Sequence, residues 1–293
     1  MPSLSSNILN MYLLFGITLL IFLLIPDNAY AWGPAVHLEL GWDILNNLKS
    51  LPPFLQELLS RFPYDYLYGN ISADIVVGKN LTQKLKHCHH WKIGLKILKN
   101  ARTDPQKAFA YGYISHLAAD TIAHNYYIPE KFIQSFSSRM LRHTYWELRF
   151  DALVDKNVWK LPSKMSKGVH RGNDNLLKNM LEGTPLSFRT NKTIFSSILL
   201  IHRVNRWHSM LDMLSSSSRW ALSIEEKMQY YNRSLSAIKD FLMHGARAKC
   251  FGDDPTGKDR LDIAKRLRKH LKTLKKNGKD WEKAMEKAIR TIK

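Results

Sequence analysis

Beyond Pro34 the apolar positions of the chain recur at intervals of three and four, with polar residues between them. That is the period of helices burying one face. It predicts helices over Pro34–Lys49, Pro52–Phe62, Lys84–Lys99, Pro105–Tyr127, Pro129–Trp159, Phe188–Leu214 and Ile224–Met243, then a charged helical pair at the C-terminus. Several open with proline, whose missing N–H costs nothing in a first turn. Leu161–Lys192 is polar and basic, holds Gly168, Gly172, Gly183 and Pro185, and reads as a surface loop; Ser215–Ser218 reads as a short turn. No repeat of fixed period is visible. With 11 prolines and 14 glycines spread thinly, a strand-and-turn sandwich is disfavoured. The expected fold is all-α, a single multi-helix domain.

The amino end has a different pattern. Leu13–Ile25 is an apolar run, too short to span a ~30 Å hydrocarbon core comfortably but suited to a secretory signal. Pro26 and then Ala29-Tyr30-Ala31, an A-x-A cleavage site, follow, so cleavage would leave Trp32 as the new first residue. Met1–Tyr12 carries no Lys or Arg, which keeps an uncleaved membrane anchor as the alternative. The expected organisation is a signal over 1–31, a helical domain over 32–243 and a basic amphipathic segment over 244–293, in a secreted or periplasmic protein.

Composition narrows the picture. In 293 residues, 44 Lys and Arg stand against 25 Asp and Glu, a net charge of +19, and 45% of residues are hydrophobic. This excludes a disordered chain, a collagen and a multi-pass membrane protein. Two cysteines, Cys88 and Cys250, exclude a disulfide framework, although export would make them candidates for one bridge. Gly245–Lys293 holds 16 Lys and Arg against 7 Asp and Glu, a net of +9. Its apolar residues Leu261, Ile263, Ala264, Leu267, Leu271 and Leu274 form a stripe beneath a basic surface. The excess charge fits a solvated surface, an anionic lipid surface or nucleic acid. The stripe favours a basic amphipathic helix on a phospholipid membrane or packed on the domain, and nothing calls for an obligate protein partner.

Of the twelve histidines, many sit in a few short segments beside acidic residues. In His116-Leu-Ala-Ala-Asp120-Thr-Ile-Ala-His124 an imidazole, a carboxylate and a second imidazole share one helical face. The two histidines lie about 12 Å apart along the axis, too far to close on one ion, so Asp120 would bridge two ions about 3.5–4 Å apart. His143 and Glu147 repeat the i,i+4 spacing, with Asp151 a turn further on as an outer residue orienting a ligand imidazole. Asp74 stands in Ile71-Ser-Ala-Asp-Ile-Val-Val-Gly78. His87, His89 and His90 stand in Lys86-His-Cys-His-His-Trp91, where one histidine is expected to ligate, and His37 lies five residues after Trp32. Any one pair reads better as a polar surface pair. Set repeatedly into apolar helices, such groups would be expensive to bury without a cation. His170, His202, His208, His244 and His270 lack acidic companions at useful spacing.

This ordered set, with Gln106-Lys-Ala-Phe-Ala-Tyr-Gly-Tyr-Ile-Ser-His116 and His143-Thr-Tyr-Trp-Glu147, resembles the bacterial zinc-dependent phospholipases C over roughly Trp32 to Asp155. The resemblance implies an all-α domain with three Zn2+ ions. Trp32, through its α-amino group and carbonyl oxygen, would bind one ion with His37. Asp74, one of His87, His89 and His90, His116 and Asp120 would bind another, and His124, His143 and Glu147 a third. It also implies Asp74 as the carboxylate that activates water. The related fungal single-strand nucleases share this arrangement, so nucleic acid stands as the alternative substrate and a non-catalytic metal-binding protein as a third reading. One departure stands out: three residues separate Asp120 from His124 where the family usually has five.

Overall fold

The computed structural model describes residues 32–76, 88–138, 143–166, 170–181, 186–201, 220 and 222–292. The expected signal, His87, His202, His208 and the Ser215–Ser218 turn lie outside these residues. The described residues form helices and no strands, as the periodicity predicts. They run α1 Pro34–Asn46, α2 Pro53–Arg61, α3 Pro63–Ser72, α4 Trp91–Asn100 and α5 Asp104–Ile122, then α6 Ile128–Gln134 and α7 His143–Asp151. There follow α8 Leu161–Ser166, α9 Arg171–Met180, α10 Phe188–Ile201, α11 Ile224–His244, α12 Lys258–Lys276 and α13 Trp281–Ile292.

Helix α5 is the axis of the molecule. A capping box starts it, with Thr103 and Gln106 each satisfying the other's backbone N–H, and Pro105 occupies the first turn. From Ala108 to Thr121 nearly every side chain is buried, because α3, α4 and α11 surround it. The closest approach is to α3 at Gly69 and Gly112. A Cβ on Gly69 would strike the backbone of Phe109 and Tyr113, and one on Gly112 would strike that of Tyr66 and Asn70. Only two residues without side chains let these backbones meet, and the meeting brings the Asn70 carbonyl to His116.

Three expectations need correction. α3, absent from the predicted elements, is buried on almost every side from Tyr66 to Ser72, so its sequence has no polar face to set a period. Leu161–Lys192 contains α8 and α9. Asn173, Leu176 and Leu177 of α9 are buried, and Tyr68 and Asp65 of α3 are tied to Asp174 and Asn173. The single helix expected over Pro129–Trp159 is instead α6, a turn at Ser135–Phe136 and α7.

The basic C-terminal pair packs on the body of the protein. Leu261, Ala264 and Leu271 of α12 are buried, Leu267 and Leu274 pack beside them, and the partners are α6 and α13. The apolar stripe is thus covered by protein, while Lys265, Arg266, Lys269, Lys272 and Lys276 face solvent. Cys88 and Cys250 are both buried and are not bridged to each other. No helix of the described residues is long and apolar enough to cross a membrane.

Candidate metal centre

α5 presents His116 and Asp120 one turn apart, with His116 Nε2 3.1 Å from Asp120 Oδ2. Three other elements converge on them. α1 contributes His37, whose Nε2 lies 3.2 Å from Asp120 Oδ1 and whose ring stacks on His116 with centroids 3.7 Å apart. The turn before α4 contributes His89, with Nε2 3.2 Å from Asp120 Oδ2, 3.0 Å from His116 Nε2 and 3.1 Å from Asp74 Oδ1. The turn after α3 contributes Asp74. All five side chains are buried.

The tautomers follow from the outer partners. The Asn70 carbonyl can only accept, so His116 Nδ1, 2.8 Å away, carries the proton and Nε2 keeps a lone pair. His89 Nδ1 contacts Cys88 Sγ at 3.3 Å, on the side away from the cluster. Both Asp120 oxygens are buried and neither receives a hydrogen bond of good geometry, although each lies within 3.2 Å of an imidazole nitrogen. Imidazole nitrogens and carboxylate oxygens thus crowd into a space that little but a cation would neutralise.

Their spacing suits zinc. The triangle His89 Nε2, His116 Nε2 and Asp120 Oδ2 has edges of 3.0, 3.1 and 3.2 Å. Donors about 2.0–2.1 Å from a tetrahedral ion lie about 3.3 Å apart, so the three need to open only slightly, and Asp74 Oδ1 supplies a fourth. Among the described residues two trios bring their donor atoms within 4.8 Å of one another: His89, His116 and Asp120, and His37, Asp74 and His116.

The charges interlock. Burial works to raise the Asp120 carboxyl, but His116 and then His37 outweigh it and hold it well below the usual range. Burial opposes the His116 imidazolium, yet Asp120 and Asp74 raise its pKa above the ordinary value. His37 is lowered by burial and by its neighbour His116.

The remaining histidines separate clearly. His90 is exposed and its Nδ1 accepts from Lys92 N, so it caps α4 and lies outside the cluster. Of the two described members of that run, only His89 joins. His124 lies in a π-helical turn, Ala123–Tyr127, that continues α5. Such a turn changes the direction in which successive side chains leave a helix and often marks a functional site. The His124 ring meets His143 edge-on at 5.1 Å, and His143 Nε2 lies 3.3 Å from Glu147 Oε1. Among the described residues this second trio is not one of those whose donor atoms all lie within 4.8 Å of one another.

Trp32 is buried, and its indole N–H reaches Ala119 O at 3.1 Å and Ser234 Oγ at 3.2 Å, beside Asp120 on α5. Asp151 differs from expectation. Its Oδ1 accepts from Val36 N at 3.2 Å, so it caps the first turn of α1 and orients no imaginable ligand ring through that oxygen. Burial pushes its carboxyl up to about 8. A residue that sequence reasoning missed is Asn70, whose backbone oxygen sets the His116 tautomer; a backbone acceptor leaves no mark in side-chain spacing.

The profile of the family described as zinc dependent phospholipase C matches residues 36–235. No curated protein and no solved structure gives a match.

Proposed function

The chain belongs to the zinc-dependent phospholipase C family, and from that membership we propose that it is an exported phosphodiesterase that hydrolyses glycerophospholipids to diacylglycerol and a phosphorylated headgroup. The observation that carries this reading is the convergence of His37, Asp74, His89, His116 and Asp120 in one buried cluster.

In this reading Asp74, His89, His116 and Asp120 would hold one ion, and His37 and Trp32, with Asp120, would hold a second. His124, His143 and Glu147 would hold a third. Zinc bound there would supply positive charge to a phosphoryl oxygen and lower the pKa of water toward neutrality, without redox chemistry. Asn70 keeps His116 in the tautomer that offers Nε2. Asp120 neutralises charge on two sides at once, which lets adjacent cations be held close together. Asp74 is the carboxylate we assign to orient the attacking water and take its proton.

The exposed cations of α12 support an anionic lipid surface as partner by long-range attraction, since the apolar stripe is occupied. Ala29-Tyr30-Ala31 supports cleavage before Trp32 and action outside the cytoplasm. The test incubates zinc-loaded protein with mixed phospholipid vesicles and, separately, with single-stranded DNA. Release of phosphorylated headgroup with the DNA intact is the expected result. DNA loss without headgroup release would make the protein a nuclease, and silence in both assays would make it a non-catalytic metal binder.

A further inference from the structure

His124 is received by a segment far away in sequence. Its Nδ1 lies 2.5 Å from the Pro255 carbonyl oxygen. The next residue, Asn125, donates through Nδ2 to Asp254 O at 2.8 Å, and Tyr126 donates its hydroxyl to Asp253 Oδ2 at 3.1 Å. Trp91 fixes the same loop from the other side through Nε1 to Asp253 O at 2.8 Å. The loop is also tied to itself, Thr256 N and Gly257 N both returning to Asp254. It closes at Gly257, whose φ is +55°, and a Cβ there would lie 2.5 Å from the carbonyl carbon and oxygen of His124. Three successive residues of the π turn thus face three successive residues of one loop, and the loop leads directly into α12.

We propose that residues 253–257 are a positioning element for His124, so that the C-terminal helical pair completes the second metal-binding group. The Pro255 carbonyl accepts and cannot donate, which puts the His124 proton on Nδ1 and keeps Nε2 for the metal. Gly257 leaves the room that the Cβ and backbone carbonyl of His124 in the π turn need. The family match ends at residue 235, so this clamp comes from the part of the chain beyond it. It compensates for the short Asp120-to-His124 spacing: the π turn redirects the histidine, and the loop backs it.

This inference rests on His124 being a ligand, and the experiment separates the two claims. Full-length protein is loaded with Zn2+, or with Co2+ for its visible absorption bands, dialysed against graded chelator, and its ions per chain are counted. Wild type, His124→Ala, Gly257→Ala, Tyr126→Phe and Gly278→Ala are compared. Gly278 has a φ of +66° with nothing within 4 Å of a Cβ, so Gly278→Ala carries the same backbone strain without the contact. The expected result is that Gly257→Ala and His124→Ala each lose one ion about 10- to 100-fold more readily than wild type, with the same altered Co2+ bands, while Gly278→Ala behaves as wild type. Tyr126→Phe, which deletes one partly exposed hydroxyl, should shift retention in the same direction by a smaller factor, and it decides the matter if Gly257→Ala does not fold. Unchanged ions in His124→Ala would overturn the ligand assignment. A loss in His124→Ala with wild-type retention and bands in the clamp variants would overturn the clamp, as would equal loss in Gly278→Ala.

Discussion

The two clusters of histidine and acidic side chains are built in different ways. Around Asp120, five side chains from α1, α5 and the turns flanking α3 and α4 meet within 3.2 Å contacts, all buried. Around His143, Glu147 lies at 3.3 Å and the His124 ring meets His143 edge-on at 5.1 Å, and His124 reaches the group through an irregular turn backed by residues 253–257. The first group is supported by helix crossings so tight that only glycine fits at α3 and α5. The second leans on a loop. Preorganisation in the first group therefore comes from packed helices, and in the second from hydrogen bonds to backbone carbonyls, which are easier to disturb.

The sharpest way to break this contrast is Asp120→Asn. Removing the charge shared by His37, His89 and His116 should cost at least two ions and about a thousandfold or more of phosphodiesterase activity, read by elemental analysis and initial rates. Next, Gly112→Ala forces the α3–α5 crossing apart. It should destabilise the protein by about 1–3 kcal/mol in denaturant titration and weaken metal binding in the first group as His116 leaves Asn70. Glu147→Gln touches only the second group. One ion should be lost about 10- to 100-fold more readily while the others stay, and loss of all ions together would erase the distinction drawn here.

A smaller effect tests the cap that joins the two groups. The Asp151 carboxyl is raised from 3.8 to about 8 by burial, so the folded protein holds a proton that the unfolded chain releases. That contribution to stability is complete below about pH 3.8, fades as pH rises through the interval, and is gone above about pH 8. Asp151→Asn keeps an oxygen for Val36 N and should flatten this fall, read by denaturant titration of metal-free protein at pH 5 and pH 8. Smallest of all is His90→Ala. Losing an exposed cap should cost about 1 kcal/mol or less and no metal, whereas His89→Ala should strip the first group.

What could be read from the sequence was what repeats along one helix. His116, Asp120 and His124 announce themselves at four-residue spacing, and the amphipathic period predicted α1, α2, α5 and α11 to within a few residues. What escaped depended on partners elsewhere. α3 is buried all round and so shows no period. His89 and His90 are neighbours of identical chemistry, and only the turn into α4 decides which points inward and which caps. Asp151 has the spacing of an outer ligand residue but meets the backbone of a helix 115 positions earlier. The stripe of α12 was legible, though not that α6 and α13 cover it.

Residues 253–257 meet His124 across a separation of about 130 positions. Ribosomes deliver a polypeptide from its amino end, so a nascent chain has every donor of the Asp120 cluster in hand well before the backstop for His124 exists. Assembly then has an order: residues 37–120 supply every donor of the Asp120 cluster, and His124 gains its contacts only once residues 253–257 have been made and have docked.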